Sequence, residues 1–196
     1  MRTLLNLDLS QNQITSISKS WSFDNLISVQ IFNLSNNNLE YIHIRAFSKL
    51  TDLKTLDLSN NRLRYITQDM FQRNIYSLRN LDLSNNFIRN IPQRAFDGSV
   101  LRTFRFSGNN ITFMYENQLL QMSTKLDLTY VSFGNNPWQC ACLREFLREV
   151  KQLNIAYDTD YFDGSSPVCV TTDEFVCMRD ESVNDLFINM YRDIKS

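Results

Sequence analysis

The chain has 196 residues, 43% of them hydrophobic and 21% charged, with a formal net charge of −1 at pH 7. This is the composition of an ordinary globular chain, and it lacks the basic excess that steers proteins to nucleic acid or anionic membrane. No apolar run reaches the roughly 20 residues that cross a bilayer as a helix, so no membrane span is expected.

From its first residues the chain repeats the pattern L-x-x-L-x-L-x-x-N-x-L. Leu4, Leu7, Leu9, Asn12 and Ile14 form the first motif, and Val29, Phe32, Leu34, Asn37 and Leu39 the second. The third is the most regular, with Leu53, Leu56, Leu58, Asn61 and Leu63, followed by Leu78, Leu81, Leu83, Asn86 and Ile88. The fifth carries aromatics at the core positions, in Leu101, Phe104, Phe106, Asn109 and Ile111, and the sixth runs Leu128, Val131, Phe133, Asn136 and Trp138. The motifs start at residues 4, 29, 53, 78, 101 and 128, steps of 25, 24, 25, 23 and 27, which is the period and signature of a leucine-rich repeat.

Within a motif the alternation has period two. Leu56 and Leu58 face one core, while Thr55, Asp57 and Ser59 face away from it. Asn61 follows at a buried turn, where its carbonyl and amide can pair with backbone groups, so stacked coils are expected to share an asparagine ladder. The return halves also repeat, with Ile17, Ile42, Ile66 and Ile91 at one position and Phe47, Phe71 and Phe96 at another. These Phe side chains read as stacked core rings and not as an exposed aromatic site. The fifth return segment, residues 112–125, is the longest and lacks the Ala-Phe pair seen at Ala46 and Phe47 or at Ala95 and Phe96.

The first motif has no polar cap before it and no secretory signal, its apolar stretch being interrupted by Asn6 and Asp8. Solenoids normally begin with a cap, so the expectation is the C-terminal part of a longer extracellular protein, with a truncated gene product as the alternative.

Pro137 and Trp138 end the repeats. Cys140 and Cys142 follow, and then Leu143, Phe146, Leu147, Val150 and Leu153 at helical spacing predict an amphipathic helix that closes the core. Cys169 and Cys177 complete a set of four confined to this terminal region, which argues for two disulfides and an oxidising compartment. Zinc fits poorly, because Cys-x-Cys stands alone with no paired knuckle at Cys169 and Cys177. Four cysteines permit three connectivities. In the tail, Leu186, Phe187, Met190, Tyr191 and Ile194 predict a docked last helix, a partner-binding stalk being the other use of that face.

Asn136 to Cys142, with Cys169 and Cys177 downstream, resembles the C-terminal flanking cap of extracellular leucine-rich-repeat proteins. Residues 161–177 are further similar to the caps of secreted or cell-surface insect proteins of this kind, including Toll-related and complement-like immune recognition proteins. The resemblance implies an α/β repeat solenoid, a horseshoe with a parallel concave sheet, in which residues 1–136 form six coils and residues 137–196 a disulfide-bonded helical cap. It also implies pairing of Cys140 with Cys169 and of Cys142 with Cys177, and a secreted or cell-surface location.

Catalysis is not expected. The single histidine, His43, lies between Ile42 and Ile44, and neither a Gly-rich phosphate loop nor G-x-S-x-G is present. No metal or cofactor is expected either. What remains is a binding surface whose outward rows follow from the register: Asn6, Ile31, Thr55, Asn80, Thr103 and Tyr130; then Asp8, Asn33, Asp57, Asp82, Arg105 and Ser132; then Ser10, Ser35, Ser59, Ser84, Ser107 and Gly134. The serine row reads as solvated consensus surface. Arg105 breaks the acidic row, and with Tyr130, Asn80 and Thr103 beside Asp57 and Asp82 it forms the expected site for a protein or microbial ligand, Tyr and Arg being enriched where binding energy concentrates. The competing reading is a plain surface ion pair of Arg105 with Asp82. The sequons Asn33-Leu34-Ser35 and Asn110-Ile111-Thr112 are candidate glycosylation sites, with Asn110 expected to be filled more readily than Asn33. Two function classes fit: an innate-immune recognition protein or receptor ectodomain, and an adhesion or matrix scaffold.

Overall fold

The computed structural model describes residues 3–71, 76–97, 99–122, 127–162, 164, 167–172 and 175–196. The strands in chain order are β1 (Asn6–Asp8), β2 (Ser16–Ile17), β3 (Ile31–Asn33), β4 (Tyr41–Ile42), β5 (Thr55–Asp57), β6 (Asn80–Asp82), β7 (Thr103–Arg105), β8 (Tyr130–Ser132) and β9 (Ala156–Tyr157). The helices are α1 (Gln118–Met122), α2 (Cys140–Gln152) and α3 (Asn184–Lys195). One seven-stranded parallel sheet runs β1-β3-β5-β6-β7-β8-β9, while β2 and β4 pair on the return side. The register is that of the repeats, with Leu7 opposite Phe32, Phe32 opposite Leu56, Leu56 opposite Leu81, Leu81 opposite Phe104 and Phe104 opposite Val131. The protein is a leucine-rich-repeat horseshoe with its parallel sheet on the concave side.

The alternating leucines put the core directly behind the sheet, where Phe32, Leu56, Leu81, Phe104 and Val131 are fully buried. Behind them Phe47, Phe71 and Phe96 stack as the spacing predicts, with ring centroids 6.4 and 5.4 Å apart. Phe23 extends this stack by one coil, 6.2 Å from Phe47.

The ladder asparagines join the coils. Asn86 donates from Nδ2 to Leu83 O of its own coil and to Leu58 O of the coil before, both at 3.0 Å, and its Oδ1 accepts from Leu63 N at 3.0 Å. Asn37, Asn61, Asn109 and Asn136 make the same set. The residue before each ladder asparagine is left-handed: Gln11, Asn36, Asn60, Asn85 and Asn135 at φ 52–54°, and Gly108 at φ 65°. Asparagine tolerates this region, which is why the doublet Asn-Asn recurs. At Gly108 a Cβ would also fall 2.2 Å from Asn85 Oδ1.

The serine row departs from the solvated reading. Ser35, Ser59 and Ser107 are buried. The chain bends inward here to enter the left-handed turn, and backbone groups of the row are engaged. The N–H groups of Ser35, Ser59 and Ser84 donate to Asn33, Asp57 and Asp82, and the carbonyls of Ser59, Ser84 and Ser107 accept from Asn36, Asn60 and Asn85.

The fifth return segment replaces the missing Ala-Phe pair with α1, which buries Leu119 and Met122. Gln118 holds α1 in place, donating to Ile91 O at 3.2 Å and Pro92 O at 3.1 Å. The end of that segment, residues 123–125, lies outside the described residues.

The end of the solenoid is closed by α2, which buries Leu143, Phe146 and Val150. Trp138 lies 5.2 Å from the Phe146 ring, and burying each such side chain contributes about 1.5–3 kcal/mol. Past α2 the chain adds β9 to the sheet, with Ala156 opposite Tyr130 and Tyr157 opposite Val131, so the sheet continues beyond residue 136. Disulfides join Cys140 to Cys169 and Cys142 to Cys177. The tail helix α3 docks, burying Phe187, Ile188 and Tyr191, while Leu186 and Ile194 stay exposed.

Candidate recognition surface

The two outward rows of the sheet stand as the register predicts. Asn80 is opposite Thr103 and Thr103 opposite Tyr130; Asp57 is opposite Asp82 and Asp82 opposite Arg105. All six expected contact residues therefore lie on one face within four adjacent strands. Asn80 Nδ2 donates to Thr55 Oγ1 at 3.1 Å, which fixes its amide along the row.

Arg105 does not form the ion pair with Asp82 that the sequence allows; among the described residues the salt bridges are Arg89 with Asp185 and Arg179 with Glu145. Its guanidinium lies instead 5.2 Å from the centroid of the Tyr130 ring. The ring attracts the cation electrostatically without neutralising it, so Arg105 keeps donors for a ligand. Asp82 is held above the usual carboxylate range, by burial first; bonds from Ser84 oppose the shift, the charge of Asp57 adds to it and that of Arg105 lowers it. The face thus pairs a half-buried acidic centre with a cation on an aromatic ring, chemistry suited to binding polar and aromatic groups of another macromolecule.

The sequons are placed differently. Asn33 lies on the sheet face with Oδ1 accepting from Ser35 N at 3.0 Å. Asn110 lies on the flank, beside Pro137, Ile188 and Tyr191 of a cleft under α3, and Thr112 of its sequon is buried with Oγ1 donating to Asn184 Oδ1 at 2.5 Å.

Between coil five and the cap lies a polar cleft of about 410 Å³, lined by Tyr115, Glu116, Glu145, Arg148, Glu149 and Arg179 among others. Arg179 pairs with Glu145 and donates from Nε to Met114 O at 3.2 Å. Glu149 accepts from Leu120 N at 2.9 Å; burial raises its pKa, against the bonds from Leu120 and Leu119. Glu149 thus joins α2 to α1, and Arg179 joins α2 to the stretch before α1. Sequence reasoning missed this junction, since its partners share no repeat position.

Leucine-rich-repeat family models match residues 2–63, 27–74 and 76–130, and the chain belongs to the leucine-rich-repeat family. No curated protein matches. Among solved structures the chain is similar to one in an octameric complex of Latrophilin 3 (Lec, Olf), Unc5D (Ig, Ig2, TSP1) and FLRT2 (LRR), at 25% identity and a TM-score of 0.68. The match covers 79% of this chain but 47% of that one, so the chain spans about half the length of its structural neighbour.

Proposed function

We propose that the chain is the recognition module of a secreted or cell-surface protein, without catalytic activity, and that it binds a protein partner on the concave face around Arg105 and Tyr130. The observation that carries this reading is the Arg105 guanidinium on the Tyr130 ring, 5.2 Å away, beside Asn80, Thr103, Asp57 and Asp82. The two disulfides support an oxidising, extracellular setting. The similarity to a chain solved within a multi-protein complex supports protein as the ligand, the setting in which an adhesion or scaffold role would also operate. The innate-immune setting is supported by the likeness of residues 161–177 to insect immune proteins and is kept as the second reading, with a microbial ligand in place of the protein partner.

Arg105→Ala and Tyr130→Ala are each expected to weaken binding to a purified natural partner by about 1 to 2 kcal/mol while the melting transition is kept. Unchanged affinity in the double variant, with the fold intact, would remove the site from the concave face.

A further inference from the structure

Alongside the concave sheet runs a second surface, the flank that each coil presents just after its ladder asparagine. Backbone hydrogen bonds align it from coil to coil, Arg62 N to Leu39 O at 2.9 Å, Phe87 N to Leu63 O at 2.8 Å and Asn110 N to Ile88 O at 2.8 Å. Two residues past the ladder asparagine the side chain enters the core, as at Leu39, Leu63, Ile88 and Ile111. The positions one, three and four residues past it therefore form the flank.

On coils four to six the chain covers this flank itself. Asp185 of α3 pairs with Arg89 at 2.9 Å, Glu181 accepts from Asn90, and Asn184 accepts from Thr112. Further along, Ile188 and Tyr191 lie over Asn110 and Pro137. The covering element is thus an amphipathic helix with carboxylates at its N-terminal end.

On coils two and three, and at Phe87 of coil four, the flank is left bare by the tail. Tyr41, Tyr65 and Phe87 are 51%, 68% and 50% exposed, and Arg62 and Arg64 are exposed beside them. Glu40 is the one carboxylate at these positions on those coils. Exposed aromatic rings interleaved with arginine are the composition of a binding hot spot, and arginine matches carboxylate with a planar fork. Phe87 stands next to Asn110, where the cover of α3 ends, so the bare flank continues an interface the molecule already makes.

We propose that the flank of coils two to four docks an acidic, amphipathic segment of a partner protein, which brings to Arg62, Arg64, Tyr41, Tyr65 and Phe87 the chemistry that α3 brings to coils four to six. A second copy of this chain does not supply it, because the apolar face of α3 is buried against its own coils.

The test uses the full chain and a synthetic peptide of residues 180–196 as the acidic amphipathic probe, followed by amide chemical shifts. Perturbation is expected at Tyr41, Arg62, Arg64, Tyr65 and Phe87, with affinity falling at least about tenfold in the Arg62→Glu/Arg64→Glu variant, a loss of about 1.4 kcal/mol. Arg105→Ala should leave it unchanged, which separates this surface from the concave one. The proposal is overturned if the peptide perturbs only Asn110 and Thr112 by displacing α3. It is also overturned if the peptide does not bind while a heparin oligosaccharide does, if sedimentation shows that the flank joins two copies of the chain, or if the charge-reversed variant binds the peptide as well as the parent.

Discussion

The repeats and the cap bury comparable aromatic side chains but hold themselves together by different means. In the repeats the turns are tied to the neighbouring coils by hydrogen bonds: the ladder asparagine spans two coils, the strand N–H groups bond the neighbouring strand, and the described cysteines all lie elsewhere. In the cap no neighbour of the same shape exists. Its links are covalent, Cys140 to Cys169 and Cys142 to Cys177, or reach between residues far apart in sequence, as with Gln139 to Met178 and Arg179 to Met114. Periodicity supplies stabilisation only where there is a next period; the terminal unit needs cross-links of its own.

The largest expected effect breaks the cap side of this comparison. The disulfides close loops of 29 and 35 positions, and in the chain-entropy model each contributes about 3 to 4 kcal/mol. Reduction should strip hydrogen-exchange protection from α2 and the ring cluster of Phe133, Trp138 and Phe146 while coils two to four stay protected. Free thiols in the oxidised folded protein on non-reducing mass mapping, or simultaneous loss of protection everywhere, would show that cap and repeats form one unit.

Next in size is a break in the repeats. Asn86→Leu leaves Leu58 O, Leu83 O and Leu63 N without their partner and should cost about 1 to 3 kcal/mol. Ser84→Ala keeps the backbone N–H that bonds Asp82 and should cost much less. Equal midpoints in chemical denaturation would mean that the ladder side chain is dispensable. Gly108→Ala should cost about as much as Asn86→Leu, about 1 to 3 kcal/mol, since it combines φ 65° with a Cβ placed against Asn85 Oδ1.

What could be read in the sequence follows the same division. The strands, the ladder and the Phe stack were legible because each is repeated at a fixed spacing, and a repeated position with one buried role is hard to misread. The serine row was misread because period-two alternation was carried past Asp57 into a residue where the chain already turns inward. β9 carries no motif in Ala156 and Tyr157; it joins the sheet by backbone pairing alongside β8, with Ala156 N donating to Thr129 O. The apolar stripe of α3 was legible, but not the flank that receives it, whose contact of Thr112 with Asn184 spans 72 residues. In the candidate site the rows were legible and the aim of Arg105 was not, because Asp82 stands directly opposite it and Tyr130 diagonally from it, two residues before Ser132, and only the geometry selects the ring.

The smallest expected effect sharpens the comparison within the repeats themselves. Asp8 and Asp82 occupy one repeat position and accept the same bond from the N–H two residues on, at 2.8 and 2.9 Å. On β1 Asp8 is held below the usual range, by bonds from Ser10. In the middle of the sheet Asp82 is held above it, by burial first and then, more weakly, by the charge of Asp57. A folded pKa raised above the unfolded value of about 3.9 means that the folded state holds the proton more tightly, so the stability tied to it is present below that value and lost as pH rises through the folded pKa. Asp82→Asn keeps an acceptor for Ser84 N, as Asn33 does for Ser35 N, and removes the buried charge. It is expected to raise stability at neutral pH by about 0.5 kcal/mol, with the gain vanishing below about pH 3.9. Asp8→Asn should show the opposite sign, a loss above the unfolded pKa that disappears as pH falls through the depressed one. Thermal melts of both variants across acid pH decide it: a loss at neutral pH for Asp82→Asn would mean that its carboxylate is held for Arg105 and the concave site, and that attraction across the row outweighs burial.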